Sequence, residues 1–167
     1  MALLSLICGN GFATEGYPTQ TAKASPEFER IKMLVGKWEG TSATGAQTEP
    51  AQVEYHLTSG GSAVVETLFS GTPHEMVSVY HDEKGKLSMT HYCMLGNQPK
   101  LDLMSSDKTS MNFDLSPSSA IDPAHETHMH SLKLTFDGSD NAAQNWTLFE
   151  NGQAKQTTMI TLKRVAS

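Results

Sequence analysis

Histidines are the residues in this chain whose spacing most clearly suggests chemistry. Three of the seven histidines fall within six positions of the segment HETHMHSLKLTF, residues 125–136. The later part of this segment alternates, and its apolar residues form one face of a predicted strand: Leu132, Leu134 and Phe136. Because Lys133 belongs in water, this apolar face points inwards. If the strand is unbroken back to its start, His128 and His130 share the inward face, whereas a β-bulge between them would cancel the alternation.

A second alternating segment, KLSMTHYCML, adds a third histidine to the predicted interior. Its inward face carries Leu87, Met89, His91 and Cys93. The opposite face carries Ser88, Thr90 and Tyr92. A buried imidazole without a hydrogen-bond partner is costly. We therefore expect His91, together with His128 and His130, to contact a polar partner, a water molecule or a ligand.

Metal binding is the most specific chemistry that these histidines could perform. Two histidines at positions i and i+2 of one strand, here His128 and His130, can converge on one zinc ion. The third ligand would be His91, or Glu66 from the segment VVETLF. The spacing matches no closed zinc motif, and the glutamate that a cupin places after its second histidine is missing. Zinc or another divalent metal, a polar pocket with neutral histidines, and purely structural histidines therefore remain open.

The elements that must position these residues are almost all β-strands. Together with the strand near Trp38 we count about ten short strands, separated by turn sequences such as TSGG, DEKGK and NGQ. No helical pattern separates them, which argues against a parallel α/β sheet. One short helix precedes them in SPEFERIKMLVG, where Ser25 can cap the helix and Pro26 suits its first turn. We predict an all-β fold, an up-and-down antiparallel barrel of about ten strands that this helix caps.

The first residues resemble a secretory signal. The segment MALLSLICGNGFA, residues 1–13, is uncharged and ends in small residues suited to cleavage, although the basic start of such a signal is missing. We predict a signal peptide at 1–13, whose start is either truncated or mis-assigned, a linker at 14–24 and a barrel domain at 25–167. The protein would then be exported, periplasmic or secreted, and cytoplasmic if residues 1–13 are not a signal.

Composition excludes several classes of partner. The formal net charge is −6 and no basic patch is present, so nucleic acid is not an expected partner. The apolar run near the start is too short to span a bilayer. Of the two cysteines, Cys8 would leave with the signal, so no internal disulfide is expected and Cys93 reads as a buried thiol.

Two stretches resemble a known family. The first is LVGKWEG, with Gly36 two residues before Trp38, which lipocalins and their relatives use at the closed end of the barrel. The second runs from GGSAVVETLF to HYCMLGNQP and continues with HMHSLKLTF. Over residues 27–164 the chain resembles a bacterial family of lipocalin-like, calycin-type barrel proteins. The resemblance implies the fold, names no reaction, and marks these positions: Gly36, Trp38, Glu66, His91, Tyr92, Gln98, Pro99, His128 and His130.

The resemblance also bears on haem. Haem-binding barrels of the wider superfamily, such as those similar to nitrobindin, ligate iron with a histidine late in the chain. This chain has no histidine after His130. Haem is therefore not an expected cofactor.

The function that fits these patterns best is binding of a small molecule inside the barrel. The predicted ligand-binding residues are His91, His128, His130, Glu66, Tyr55, Met89 and Trp146. One alternative is a metal-dependent enzyme that uses the three histidines, although no nucleophile elbow or phosphate-binding loop is present. Another is a structural or partner-binding barrel with a filled interior, and a homodimer through a barrel face stays open.

Overall fold

The structure is a computed structural model that describes residues 23–166. The predicted signal peptide at 1–13, most of the predicted linker at 14–24, and Cys8 lie outside the described residues. None of the helical segments within residues 23–166 has the length and apolar character needed to cross a bilayer. The elements are α1 (Pro26–Lys32), β1 (Gly36–Thr44), β2 (Gln47–Thr58), a 3-10 turn (Ser59–Gly61), β3 (Ala63–Leu68), β4 (Met76–Glu83), β5 (Lys86–Tyr92), β6 (Lys100–Ser106), β7 (Ser110–Leu115), β8 (His128–Asp137), β9 (Asn141–Glu150) and β10 (Gln153–Arg164).

The ten strands form one closed antiparallel barrel. Each strand pairs with its neighbours along the chain, and β1 pairs with β10 to close the sheet. This confirms the predicted up-and-down barrel of ten strands. The closing seam requires a glycine, because a Cβ atom at Gly40 would lie 1.8 Å from the carbonyl oxygen of Thr161. Closure pairs the strands that would otherwise be exposed edges.

Helix α1 begins where the sequence predicts and covers one end of the barrel. The Ser25 hydroxyl accepts a hydrogen bond from the Phe28 backbone N–H at 3.0 Å, which is the N-cap interaction, and Pro26 occupies the first turn. Ser25 also donates its own N–H and O–H to the Asp82 carboxylate at the end of β4, at 2.6 and 2.7 Å. The apolar face of the helix buries Phe28 and Ile31 in the barrel core.

Trp38 packs the short segment that follows the helix against the barrel, as the family resemblance implies. It is buried, and its indole Nε1 donates to the Leu34 carbonyl at 2.7 Å. The guanidinium of Arg164, from the last strand, lies over the indole ring at 4.2 Å from the centroid. The same guanidinium donates to three backbone carbonyls at 2.6, 2.8 and 3.0 Å, those of Met33, Val35 and Ser139.

The interior is filled at the helix end. The side chains that fill it include Phe28, Ile31, Leu34, Trp38, Leu87, Met111 and Leu134, all buried in one continuous core. The opposite end, where the odd-numbered strands finish and the even-numbered strands begin, has no helix over it. We call it the open end, and the candidate site lies there.

The contacts of the Arg164 guanidinium with Trp38 and with three backbone carbonyls, which we call the Arg164 clamp, should stabilise the barrel. Arg164→Ala loses three charge-assisted hydrogen bonds and the contact with Trp38, so we expect the free energy of unfolding to fall by about 2 kcal/mol. The matched control is Lys163→Ala, which removes the neighbouring exposed cation and should change stability by less than about 0.5 kcal/mol. Urea unfolding followed by circular dichroism measures both. Equal stability of the two variants would contradict a structural role for the clamp.

Candidate functional site

Four polar side chains form a row across the inside of the barrel. Tyr55 of β2 pairs with Glu66 of β3, Glu66 pairs with Ser78 of β4, and Ser78 pairs with His91 of β5. All four residues are at most 2 % exposed. Directly paired residues of adjacent strands carry their side chains on the same face. The row therefore places a carboxyl group, two hydroxyl groups and an imidazole in one layer of the interior.

The Glu66 carboxylate is the centre of this layer. Tyr55 donates its hydroxyl to Oε1 at 2.5 Å, and Tyr80 donates its hydroxyl to Oε2 at 3.2 Å. The Gln144 side-chain amide, reaching across from β9, donates to Oε1 at 2.5 Å and to the Tyr55 hydroxyl at 2.7 Å. Ser78, the direct cross-strand partner of Glu66, lies beside the carboxylate and lowers its pKa. A buried carboxylate is tolerated when donors of this kind satisfy its lone pairs.

Burial and hydrogen bonding act on the Glu66 carboxyl group in opposite directions. Burial raises the pKa of Glu66 because ionisation in a dry interior is unfavourable, and the hydrogen bonds from Tyr55, Ser78 and the other donors lower it in part. The pKa values of Tyr55 and Tyr80 are raised well above that of an exposed tyrosine, first by burial and then by the nearby carboxylate. Both tyrosines therefore remain hydrogen-bond donors at neutral pH.

His91 occupies the open-end side of the network. Its Nδ1 lies 3.0 Å from the Ser78 hydroxyl, and its ring packs against the Trp146 indole with centroids 4.6 Å apart. Its Nε2 is buried and has no hydrogen-bond partner, a condition that within residues 23–166 is shared only by Oδ1 of Asn97. Burial lowers the pKa of His91 to about 4, so the ring is neutral at physiological pH.

The ring of His91 lines a cavity of about 150 Å³ at the open end. The floor of the cavity contains His91 and Trp146. Its wall is mainly apolar: Leu68, Phe69, Met76, Met94, Met129 and Ile160. Polar groups stand on one side and at the rim: Ser42, Thr44, Thr158, Glu49 and His74. The arrangement is a small, mainly apolar cavity lined by the ring of His91, whose Nε2 has no protein partner.

Phe69 shapes the rim at a conformational cost. It has a φ of +54°, a left-handed conformation that bulky side chains rarely adopt. The conformation is held by the Phe69 N–H, which donates to the Gln52 carbonyl at 2.7 Å, and by the Phe69 carbonyl, which accepts from Thr72. Strained residues of this kind cluster at ligand-binding sites. Here the strain keeps a large aromatic ring in the cavity wall.

The predicted ligand-binding residues divide into three groups. His91 and Trp146 line the cavity. Tyr55 and Glu66 lie in the interior next to it, inside the hydrogen-bonded network. Met89 is fully buried in the packed core, away from the residues that line the cavity. The prediction that His91 faces the interior is confirmed, and Glu66, whose orientation the sequence left open, faces the same interior.

The prediction that His128 and His130 share this interior is wrong. The pairing of β8 with β9 shifts register between Met129 and Ser131, so the strand gains one residue at this point. Met129 therefore faces the cavity in place of the two histidines. His130 contacts Asp114, which is exposed on the outer face, at 3.1 Å.

The two histidines form a chain of contacts on the outer side of the sheet. His128 Nδ1 lies 2.7 Å from the Glu126 carbonyl, and His128 Nε2 lies 2.9 Å from His130 Nδ1. The ring of His130 stacks on Phe149 with centroids 3.7 Å apart. Burial lowers the pKa of His130, while Asp114 raises it. His128 is fully buried although its side chain lies outside the barrel interior.

A metal site built from the three histidines finds no counterpart in the described residues. Within residues 23–166 no group of three histidine, cysteine, aspartate or glutamate side chains is close enough to hold an ion. The register shift explains this, since it separates His91 from His128 and His130. Cys93 is buried, as predicted, and burial raises the pKa of its thiol.

Three residues of the network were absent from the sequence prediction. They are Ser78, Tyr80 and Gln144. Alternation would have found them, because Ser78 and Tyr80 share a face with Met76, and Gln144 shares a face with Trp146. What alternation could not show is that Gln144 meets Glu66 across the barrel, 78 residues away in the chain.

Fold and site together define a closed, ten-stranded antiparallel β-barrel with a small cavity at one end. No protein-family model matches the chain, and no curated protein sequence is significantly similar to it. Among solved structures, it resembles a protein of unknown function from the DUF3598 family of Nostoc punctiforme PCC 73102, with a TM-score of 0.58 and 15 % identity. The match covers 81 % of this chain and 49 % of that one, so this chain spans about half of its length.

A second solved structure is more distantly similar. It is the S-type phycobiliprotein lyase CPES from Guillardia theta, with a TM-score of 0.45 and 13 % identity, covering 87 % of this chain and 95 % of that one. At such identities the likeness concerns the fold alone. Membership of a bacterial lipocalin-like family therefore stays a prediction from sequence.

The buried, neutral His91 should make stability depend on pH. Because folded His91 resists protonation, the unfolded chain binds more protons between its ordinary pKa of 6.5 and the folded value of about 4. Its contribution is complete above pH 6.5 and is lost as the pH falls towards 4, up to about 3 kcal/mol. Glu66, with its raised pKa, contributes in the opposite direction, so the comparison must be made between variants.

We expect His91→Gln to remove the pH-dependent contribution of His91 to the free energy of unfolding, while the contribution of Glu66 remains. The difference in unfolding free energy between wild type and His91→Gln should shrink as the pH falls from 6.5 to 4. His56→Gln, at an exposed position of β2, is the control and should keep the wild-type profile. Urea unfolding at several pH values measures all three. Parallel profiles for wild type and His91→Gln would contradict a buried, neutral His91.

Proposed function

We propose that this protein binds a small, mainly apolar molecule in the open-end cavity. The observation that carries the proposal is the combination of an apolar chamber of about 150 Å³ with a buried nitrogen, His91 Nε2, that no protein group satisfies. Ligand sites typically combine an apolar wall with a few polar groups that fix orientation. Buried polar atoms without partners are rare in folded proteins, so an unpaired nitrogen on a ring that lines a cavity favours a ligand partner.

The volume of the cavity limits the size of the ligand. Apolar protein cavities of about 150 Å³ can hold benzene. The packed core at the helix end and the Glu66 network lie beyond the cavity, so we propose a ligand that its volume of about 150 Å³ can hold rather than a long acyl chain or a haem group. We infer a ligand with a single ring or a comparable apolar body. Its ring can pack between Trp146 and the strained Phe69.

The wider setting also belongs to this proposal. Residues 1–13 resemble a secretory signal, so we propose that the binding protein is exported, into the periplasm or beyond. A barrel that holds one small molecule outside the cytoplasm would act as a carrier or a scavenger. The outer-face histidines, His128 and His130, are not part of the proposed ligand site, because they contact Asp114 and Glu126 instead.

Benzene is the probe that tests the cavity itself. We expect saturable binding in ¹H–¹⁵N NMR titrations, with the largest shifts at the Trp146 indole N–H and at cavity-lining residues such as Ile160. Ser42→Leu places three additional carbon atoms in the cavity wall and should weaken benzene binding at least tenfold. Ser42→Ala, at the same position, leaves the cavity open and should bind like wild type.

Two results would contradict the proposal. One is the absence of saturable benzene binding to the wild-type protein. The other is equal binding by Ser42→Leu and Ser42→Ala when both variants show the circular dichroism spectrum of the folded barrel. Either result would favour the competing view of a structural or partner-binding barrel whose interior is functionally filled.

A further inference from the structure

We propose that the ligand is a neutral molecule that donates a hydrogen bond, through an N–H or O–H group, to Nε2 of His91. The inference rests on the proposed binding function and adds the chemical class of the ligand. It follows from the directions of the hydrogen bonds that connect Trp146 to His91 through the buried network. The first direction is set by Trp146, which can only donate, and the later ones follow from it when Glu66 is ionised.

The first fixed direction is that of the Gln144 side chain. The Trp146 indole nitrogen can only donate, and it lies 2.7 Å from Oε1 of Gln144. The oxygen of the Gln144 amide therefore points to Trp146 and its NH₂ group points to the network. That NH₂ group donates one hydrogen to the Tyr55 hydroxyl and the other to Oε1 of Glu66.

The second fixed direction is that of the hydroxyl groups around Glu66. Because the Tyr55 oxygen already accepts from Gln144, its own hydrogen goes to Oε1 of Glu66. Tyr80 lies within hydrogen-bond distance of Oε2 of the same carboxylate. The network therefore delivers only hydrogens to Glu66, the pattern that an ionised carboxylate requires. Ser78 is the direct cross-strand partner of Glu66 and also lies 3.0 Å from Nδ1 of His91. Of these two acceptors we assign its hydroxyl hydrogen to the carboxylate, because a hydrogen bond to a charged group is stronger than one to a neutral ring nitrogen.

The third direction is that of His91. A serine hydroxyl has one hydrogen, and when Ser78 gives it to Glu66 its oxygen is left to accept. The partner at 3.0 Å is Nδ1 of His91, which must then carry the ring hydrogen. Since the ring is neutral, Nε2 holds a bare lone pair. This nitrogen is the unpartnered atom of a ring that lines the cavity.

The bare nitrogen selects among ligands by charge and by hydrogen-bonding role. A carboxylate or phosphate ligand would place its oxygen lone pairs against the lone pair of His91 Nε2, which is repulsive. Protonation of Nε2 would remove the repulsion, but burial of the ring opposes it. A ligand N–H or O–H satisfies Nε2 directly and leaves its apolar body against Leu68, Met129 and Ile160. Phenols, pyrroles and small ring amides are members of this class.

Two ring molecules of nearly identical shape test the inference. Pyrrole carries an N–H donor and has no lone pair available to accept, whereas furan carries an acceptor oxygen in the same place. We expect wild-type protein to bind pyrrole about 3- to 10-fold more tightly than furan, the effect of one net hydrogen bond. Imidazole ¹⁵N chemical shifts of His91 should show a bare Nε2 and a protonated Nδ1.

Glu66→Gln should reverse the directions in the network. Tyr55 and Gln144 hold the oxygen of the new amide, so its NH₂ group faces Ser78 and donates to it. Ser78 then donates to Nδ1 of His91, and Nε2 acquires the ring hydrogen. The pyrrole-to-furan affinity ratio should fall to one or below, and the His91 ¹⁵N shifts should exchange. Glu54→Gln, a matched change at an exposed position of β2, should leave both measurements unchanged.

The outcomes separate this inference from the proposed function. If benzene, pyrrole and furan all fail to bind, the binding function fails and the inference fails with it. If the rings bind but furan equals or exceeds pyrrole in wild type, the donor class is overturned while the binding function stands. A protonated Nε2 in the wild-type ¹⁵N spectrum also overturns it, and this spectrum decides the matter even if Glu66→Gln does not fold.

Discussion

The rest of this structure depends on one constraint, which is that a carboxyl group at the centre of a barrel must have all its lone pairs satisfied. Glu66 is completely buried, and an unpaired carboxylate there would be strongly unfavourable. Its hydrogen bonds come from β2 and β4, which flank β3 in the sheet, and from β9, which only closure of the barrel brings across to it. The Glu66 carboxylate therefore links three strands through its hydrogen bonds, and a register change in these strands would remove donors from it.

The same hydrogen-bonded layer around Glu66 divides the interior into two compartments with different roles. On the helix side, large apolar side chains fill the barrel, and the clamp of Trp38 and Arg164 seals it. On the other side the network presents its own edge, His91 and Trp146, as the floor of a cavity. Stability thus comes mainly from the closed end and the layer of Glu66. The open end is left to carry a cavity, an unpartnered nitrogen and the strained Phe69.

Local patterns in the sequence predicted most of the fold and about half of the site. Ser25 and Pro26 marked the start of the helix because capping depends on neighbouring residues only. Alternation placed His91 inwards because β5 is regular over its whole length. The inward position of Glu66 stayed open because apolar valines lie on both faces of its strand. The contact of Gln144 with Glu66 depends on barrel closure, which no local pattern contains.

The position of His128 and His130 shows why alternation fails where it does. One extra residue in β8 reverses the face of every residue before it, and no residue type in HMHS marks the bulge. The reversal moves two histidines out of the interior and moves Met129 in, so the cavity wall becomes more apolar than the sequence suggests. It also leaves His91 as the one imidazole that lines the cavity floor. A site with three convergent histidines would favour a metal ion, whereas a single neutral histidine beside a tryptophan favours an apolar ring with one polar group. The chemistry of the site therefore turns on the register of one strand.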